Sequence, residues 1–114
     1  MSALGHGQIW WADVPDEKVR PVLILTRSNV ASKFRHVLVA PITSTVRGLA
    51  TEVVLHTSEG VPEGCVASFD NARQILATDL IRQAGTISAA RWPEVCRAMA
   101  AVLACQGYRR QGGH

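Results

Sequence analysis

Apolar and polar positions alternate, break off and resume along this chain in a pattern that marks out short strands. Six runs have strand character, Gln8–Asp13, Pro21–Thr26, His36–Thr43, Ala50–His56, Cys65–Phe69 and Arg73–Thr78, and a weaker seventh lies near Arg82–Ile87. Pro, Gly, Ser and Asn separate them, so the pattern predicts an antiparallel barrel or sandwich. Val22–Leu25 is apolar without a break. Such a run fits a strand covered on both faces better than a surface strand of period two.

The period then changes. Trp92, Val95, Cys96, Met99, Val102 and Leu103 recur at spacings of three and four, which predicts one stripe of an α-helix packed on the sheet. Its start has two readings: Ser88 as cap, or a regular helix with Pro93 in its first turn, which keeps the proline out of the interior. Gly107 is a natural stop, and the glycine- and charge-rich tail Gly107–His114 reads as loose. No repeat or linker divides residues 1–114, which read as one domain.

Composition narrows the class. Hydrophobic residues make up 47% and charged residues 18% of the 114, which excludes a largely disordered chain. The net charge of +3 and pI near 9.1 suit an anionic partner without identifying it. Ten of the twelve cations are arginines, with Lys18 and Lys33 the exceptions. Arginine's planar fork matches phosphate, although a GC-rich genome produces the same bias. Cys65, Cys96 and Cys105 are odd in number and lack a CxxC spacing, so neither a disulfide framework nor a zinc ribbon is indicated; they read as small buried hydrophobes in a reducing compartment. The start MSALGHGQIWW has no cationic leader, and no stretch has the apolar length to span a membrane, so a cytoplasmic protein is expected.

Familiar catalytic motifs are missing from the sequence. His6, His36, His56 and His114 stand alone, without HExxH or a cysteine partner, and neither a Walker loop nor a GxSxG elbow occurs, so no metal or cofactor is expected. Two segments stand out instead, VRPVLILTR (Val19–Arg27) and APITSTVRG (Ala40–Gly48). Each joins a strand end to a polar cluster. Neighbouring strand ends can bring Arg20 near Thr43, making a small anion site from a guanidinium, hydroxyls and turn amides. Pro21, which lacks an amide donor, favours the first position of a strand and so holds Arg20 just outside a rigid core. Trp10 and Trp11 point to opposite sides of their strand, so one is expected in the core and the other at a dimer surface or at an RNA surface where a base could stack.

Taken in order, GQIWWADV, RPVLIL, APITSTVRG, ATEVVL, SFDNARQI and the closing amphipathic helix resemble the MazF/PemK family of toxin endoribonucleases over about Gly7 to Leu103. The resemblance implies a mainly β fold, a small Src-homology-3-like antiparallel β-barrel (CcdB/MazF-like) with a C-terminal helix. It also implies a homodimer, and metal-independent cleavage of single-stranded RNA to 2′,3′-cyclic phosphate and 5′-hydroxyl ends. On the family's motif Arg20 and Thr43 are the catalytic pair, and Asp70 and Asn71 stand where relatives often carry Glu-Gln. The expected RNA-contacting set is Lys18, Ser44, Thr45, Arg47, Asp70, Asn71 and Trp11. A MazE-like antitoxin peptide is the implied protein partner. The segment VPDEKV before Arg20 is shorter than the loop many relatives carry there. No general base is assigned: His36 alone has a suitable ordinary pKa, and it sits at the far end of the strand that ends in Thr43. The competing readings are a gyrase-binding toxin without chemistry of its own and a noncatalytic RNA-binding barrel.

Overall fold

The structure, a computed structural model, describes residues 4–104. It contains seven strands, β1 (Gln8–Ala12), β2 (Arg20–Ile24), β3 (His36–Thr43), β4 (Glu52–Leu55), β5 (Cys65–Ser68), β6 (Arg73–Leu76) and β7 (Leu80–Thr86). A four-residue helix α1 (Ser28–Ala31) and a longer helix α2 (Trp92–Val102) complete it, with 3-10 turns at Thr57–Glu59, Phe69–Asn71, Ala77–Asp79 and Ala89–Arg91.

All strand pairs are antiparallel, in the order β4-β5-β3-β2-β1-β7, with β6 joined to β3. The eight-residue β3 is long enough to serve two neighbours on one edge: His36–Val39 pairs with β6, while Ile42 and Thr43 pair with β5. Its other edge takes β2.

The sheet separates two cores. Ile9, Leu23, Ala40, Ile42, Val53, Leu55, Ala67 and Phe69 pack with Val95 and Ala98 of α2. Ala12, Val22, Ile24, Val37, Val39 and Ile75 form the second core on the opposite face. Successive β2 residues therefore enter different cores, which is why its apolar run has no polar break.

Helix α2 carries Pro93 in its first turn, where a missing amide costs no hydrogen bond. Val95 and Ala98 are buried, and Trp92 and Met99 lean on the same core. The predicted stripe is too wide, however: Cys96 is exposed and Leu103 is 67% exposed. The helix rests on β4 and the turn Phe69–Asn71, so only a narrow strip is covered. Of the cysteines expected to be buried, Cys65 is; Cys105 lies outside the described residues, as does the tail Gly107–His114.

The expected closed barrel is not formed. Strands β4 and β7 end the sheet and do not pair with each other. The edge of β4 is occupied by Arg91, whose Nη2 donates to the Val54 carbonyl at 2.7 Å. Strand β7 slips its register against β1 between Ile9 and Trp10 and again between Trp11 and Ala12, and these bulges bend it. What fills the gap is the turn after β4. A Cβ on Gly60 would run into the Ala84 carbonyl, and one on Gly85 into the Glu59 carbonyl, so the two backbones touch without forming a ladder. Among the described residues no helix is long and apolar enough to cross a membrane.

Candidate active site

Register alone brings the two singled-out segments together. Val22 faces Pro41, Leu23 faces Ala40 and Ile24 faces Val39. Continuing that register by two residues sets Arg20 across from Thr43. On the other side of β2, Ala12 pairs with Arg20. Period two then puts Ala12, Arg20, Val22, Val39, Pro41 and Thr43 on one face. All six line an open pocket of about 710 Å³ above the second core. Its floor is apolar, from Val22, Val39 and Ile75, and its rim is charged.

Thr43 is half-buried at the end of β3, and its Oγ1 accepts the Thr45 amide at 3.1 Å. A hydroxyl oxygen occupied in this way keeps its proton free to donate outward. Arg20 is exposed on the first residue of β2. Among the described residues Lys18, Arg20 and Arg47 form no ion pair. The three carboxylates of the rim are Asp16, Glu17 and Glu52. Glu17 is held by Arg73 at 2.9 Å, and Glu52 accepts the amides of Arg47, Gly48 and Leu49. The rim thus offers three unpaired cations, while two of its three anions are already engaged.

Of the residues singled out from sequence, Lys18, Arg20, Thr43, Thr45, Arg47 and Asn71 line the pocket. Ser44, Asp70 and Trp11 do not. Asp70 instead accepts a hydrogen bond from Thr51 Oγ1 at 2.6 Å, and Asn71 Nδ2 donates to Ser68 Oγ at 2.9 Å. Trp11 follows Trp10 and precedes Ala12, so it faces away from the pocket; Arg82 lies over its ring at 5.5 Å. His36 opens β3 and Thr43 closes it, which separates them by roughly 24 Å at strand rise. No imidazole from β3 reaches the pocket.

Glu17, Glu52, Ser68 and Arg73 line the pocket without having been singled out. Arg73 faces Val39 across the β3–β6 ladder, and Glu52 faces Ser68 across the β4–β5 ladder. Their arrival depends on pairings remote in sequence; the one local signal was an acidic residue opening the ATEVVL strand. Among the described residues no group of three or more His, Cys, Asp and Glu could hold a metal ion.

Residues 6–103 match the family model of the PemK-like, MazF-like toxin of type II toxin-antitoxin systems. The chain is 47% identical over 83 residues to endoribonuclease MazF3 of Mycobacterium tuberculosis, an alignment covering 73% of this chain and 81% of that protein. The solved Mycobacterium tuberculosis toxin MazF-mt6 superposes with a TM-score of 0.80 at 42% identity, covering 85% of this chain and 96% of that one. A mycobacterial endoribonuclease solved in complex with its cognate antitoxin has the same fold, with a TM-score of 0.79 at 22% identity over 94% of this chain and all of that one (100%). An open, arginine-rimmed pocket at the joined ends of β2 and β3 is therefore carried by a chain that belongs to the PemK-like, MazF-like toxins of type II toxin-antitoxin systems, a family of endoribonucleases.

Proposed function

We propose that the chain cleaves single-stranded RNA in this pocket, with Arg20 and Thr43 as the catalytic pair. The observation that carries the reading is that one pocket is lined both by Arg20, which forms no ion pair among the described residues, and by Thr43, whose hydroxyl oxygen is already occupied by a backbone amide. RNA brings its own nucleophile, the 2′-hydroxyl. The enzyme has to stabilise the charge that builds on the phosphorane and assist proton movement at the 2′- and 5′-oxygens.

Arg20 stabilises the nonbridging oxygens through its several donors, a task for which its permanent charge suits it. Thr43 donates a hydrogen bond from its hydroxyl to the same phosphate. Lys18, Thr45 and Arg47 hold the neighbouring backbone, and Asn71, tied to Ser68, presents polar edges to a base. The products are a 2′,3′-cyclic phosphate and a 5′-hydroxyl. The 2′-oxygen bonds to phosphorus as the bond to the 5′-oxygen breaks; the 2′-hydroxyl proton passes to water and the 5′-oxygen takes one from water, so the route needs no metal.

The same reading gives a homodimer acting in the cytoplasm and controlled by a MazE-like antitoxin peptide. Large apolar side chains left exposed, among them Val46, Leu49, Val54 and Ile81, support surfaces that partner chains cover. The test is incubation of purified protein with a long RNA in EDTA, followed by end analysis. Cleavage leaving 5′-hydroxyl ends, lost in folded Arg20→Ala and Thr43→Ala proteins, is the expected result; RNA left intact by the unaltered chain overturns the reading.

A further inference from the structure

Between Thr43 and β4 runs an exposed connection, residues 44–50, with little apolar packing of its own. It nonetheless carries Thr45 and Arg47 to the pocket wall. What shapes it is one carboxylate. Glu52 Oε1 accepts the Gly48 amide at 2.9 Å and the Arg47 and Leu49 amides at 3.2 Å each, and Oε2 also takes the Arg47 amide at 3.2 Å. Three consecutive N–H groups converging on an anion require a tightly curled backbone, and Gly48 supplies it with φ of +71°. The Glu52 amide closes the turn by donating to the Leu49 carbonyl at 3.1 Å.

The connection is tied at both ends as well. Thr45 is anchored on Thr43, and Thr51 is anchored on Asp70. Glu52 holds the middle. Its backbone position is itself fixed by pairing with Ser68, which lines the same pocket.

We propose that Glu52 is a positioning residue for RNA cleavage: it fixes the backbone from which Arg47 reaches an RNA phosphate beside the scissile one. This rests on the endoribonuclease reading of the pocket. The arrangement also solves an electrostatic problem. A carboxylate in a phosphate-binding pocket repels substrate and competes for the guanidinium groups, but one that accepts three amides has its charge satisfied by the backbone. Glu52 forms no ion pair among the described residues, so Arg20 and Arg47 stay available.

Glutamine at this position keeps an oxygen where Oε1 takes all three amides, whereas alanine keeps nothing. The test compares kcat and KM on a short single-stranded RNA for the unaltered chain, Glu52→Ala, Glu52→Gln, Arg47→Ala and the Glu52→Ala/Arg47→Ala double variant. Amide hydrogen exchange at Arg47, Gly48 and Leu49 is followed in parallel. Expected are a KM raised about tenfold in Glu52→Ala with little change in kcat, recovery of most of the loss in Glu52→Gln, and a double variant no worse than Arg47→Ala alone. The three amides should exchange faster in Glu52→Ala and remain protected in Glu52→Gln. Losses that multiply in the double variant, a KM that does not change, or unaltered exchange in Glu52→Ala would each overturn the proposal. Because exchange needs no activity, and cleavage by the unaltered chain is scored in the same assay, failure of the endoribonuclease reading is seen separately from failure of this one.

Discussion

Arg91 and Arg20 are both arginines at element ends, yet the fold uses them in opposite ways. Arg91 makes five hydrogen bonds inside the protein: Nε and Nη2 to Glu94, Nη1 to both Glu59 oxygens, and Nη2 to the Val54 carbonyl. Its side chain is 22% exposed, and that of its partner Glu59 only 8%. Glu59 in turn accepts the His56 amide, so one cluster ties β4, the turn after it and the start of α2. Arg20 makes no ion pair among the described residues and stands exposed over the pocket. Counting partners separates an arginine that holds the fold from one held ready by it.

The widest separation should come from removing each in turn. Arg20→Ala is expected to lower kcat/KM about 10³-fold, the scale for losing a donor aimed at developing charge, while the thermal midpoint stays nearly unchanged because the side chain is on the rim. Arg91→Ala should do the reverse. It strands a buried carboxylate, Glu59, and is expected to cost about 3 kcal/mol of stability, read from urea unfolding, with kcat/KM of the folded fraction retained. A stable Arg91→Ala protein, or an Arg20→Ala protein that unfolds early, would break the comparison.

Acid should act on one side of it only. The hydrogen bonds from Arg91 hold the Glu94 carboxyl below its ordinary value, so its contribution is present above that value, 4.5, and is lost as pH falls through the folded one. Arg91 itself is shifted upward, chiefly by Glu94, and that contribution lasts through any working pH. Stability of the unaltered chain should therefore fall on acidification below about 4.5, and Arg91→Ala should flatten that limb. The exposed Glu63, also lowered by a hydrogen bond from His56, pulls the same way, so flattening is partial. Unfolding curves at a series of pH values measure the slope; an equal slope in both proteins would remove Glu94 from the account.

Much of this was readable from the amino-acid order because it depends on near neighbours. The bounds of β3 agree with the apolar run His36–Thr43 read from the sequence, and the unbroken run in β2 reports burial between two cores. Arg20 and Thr43 could be joined in advance because both sit at the ends of adjacent strands. Strand β7 looked weak for a physical reason: its two bulges and edge position interrupt the period of two. Helix α1 and the 3-10 turns are too short for any periodicity to appear. Whether the sheet closes depends on contacts remote in sequence: β4 and β7 do not pair, and Arg91 reaches the β4 edge and the turn after it through bonds to residues 37 and 32 positions earlier. Glu52 and Arg73 entered the site through ladders whose register no local pattern states.

The smallest expected effect gives the finest test of the same distinction between engaged and available cations. Lys18 lines the pocket and forms no ion pair among the described residues, whereas Arg82 of β7 lies over the Trp11 ring of β1 and is absent from the pocket lining. If Lys18 meets an RNA phosphate, Lys18→Ala should weaken binding of an RNA carrying 2′-deoxyribose at the cleaved position. The slope of log affinity against log salt should become shallower by about 0.7, the value for one contact on a single strand. Arg82→Ala removes the same formal charge from elsewhere and should leave the slope unchanged. Equal changes in the two would mean that RNA responds to net charge alone; a change confined to Lys18 would mean that it responds to the cations the fold leaves without partners at the pocket.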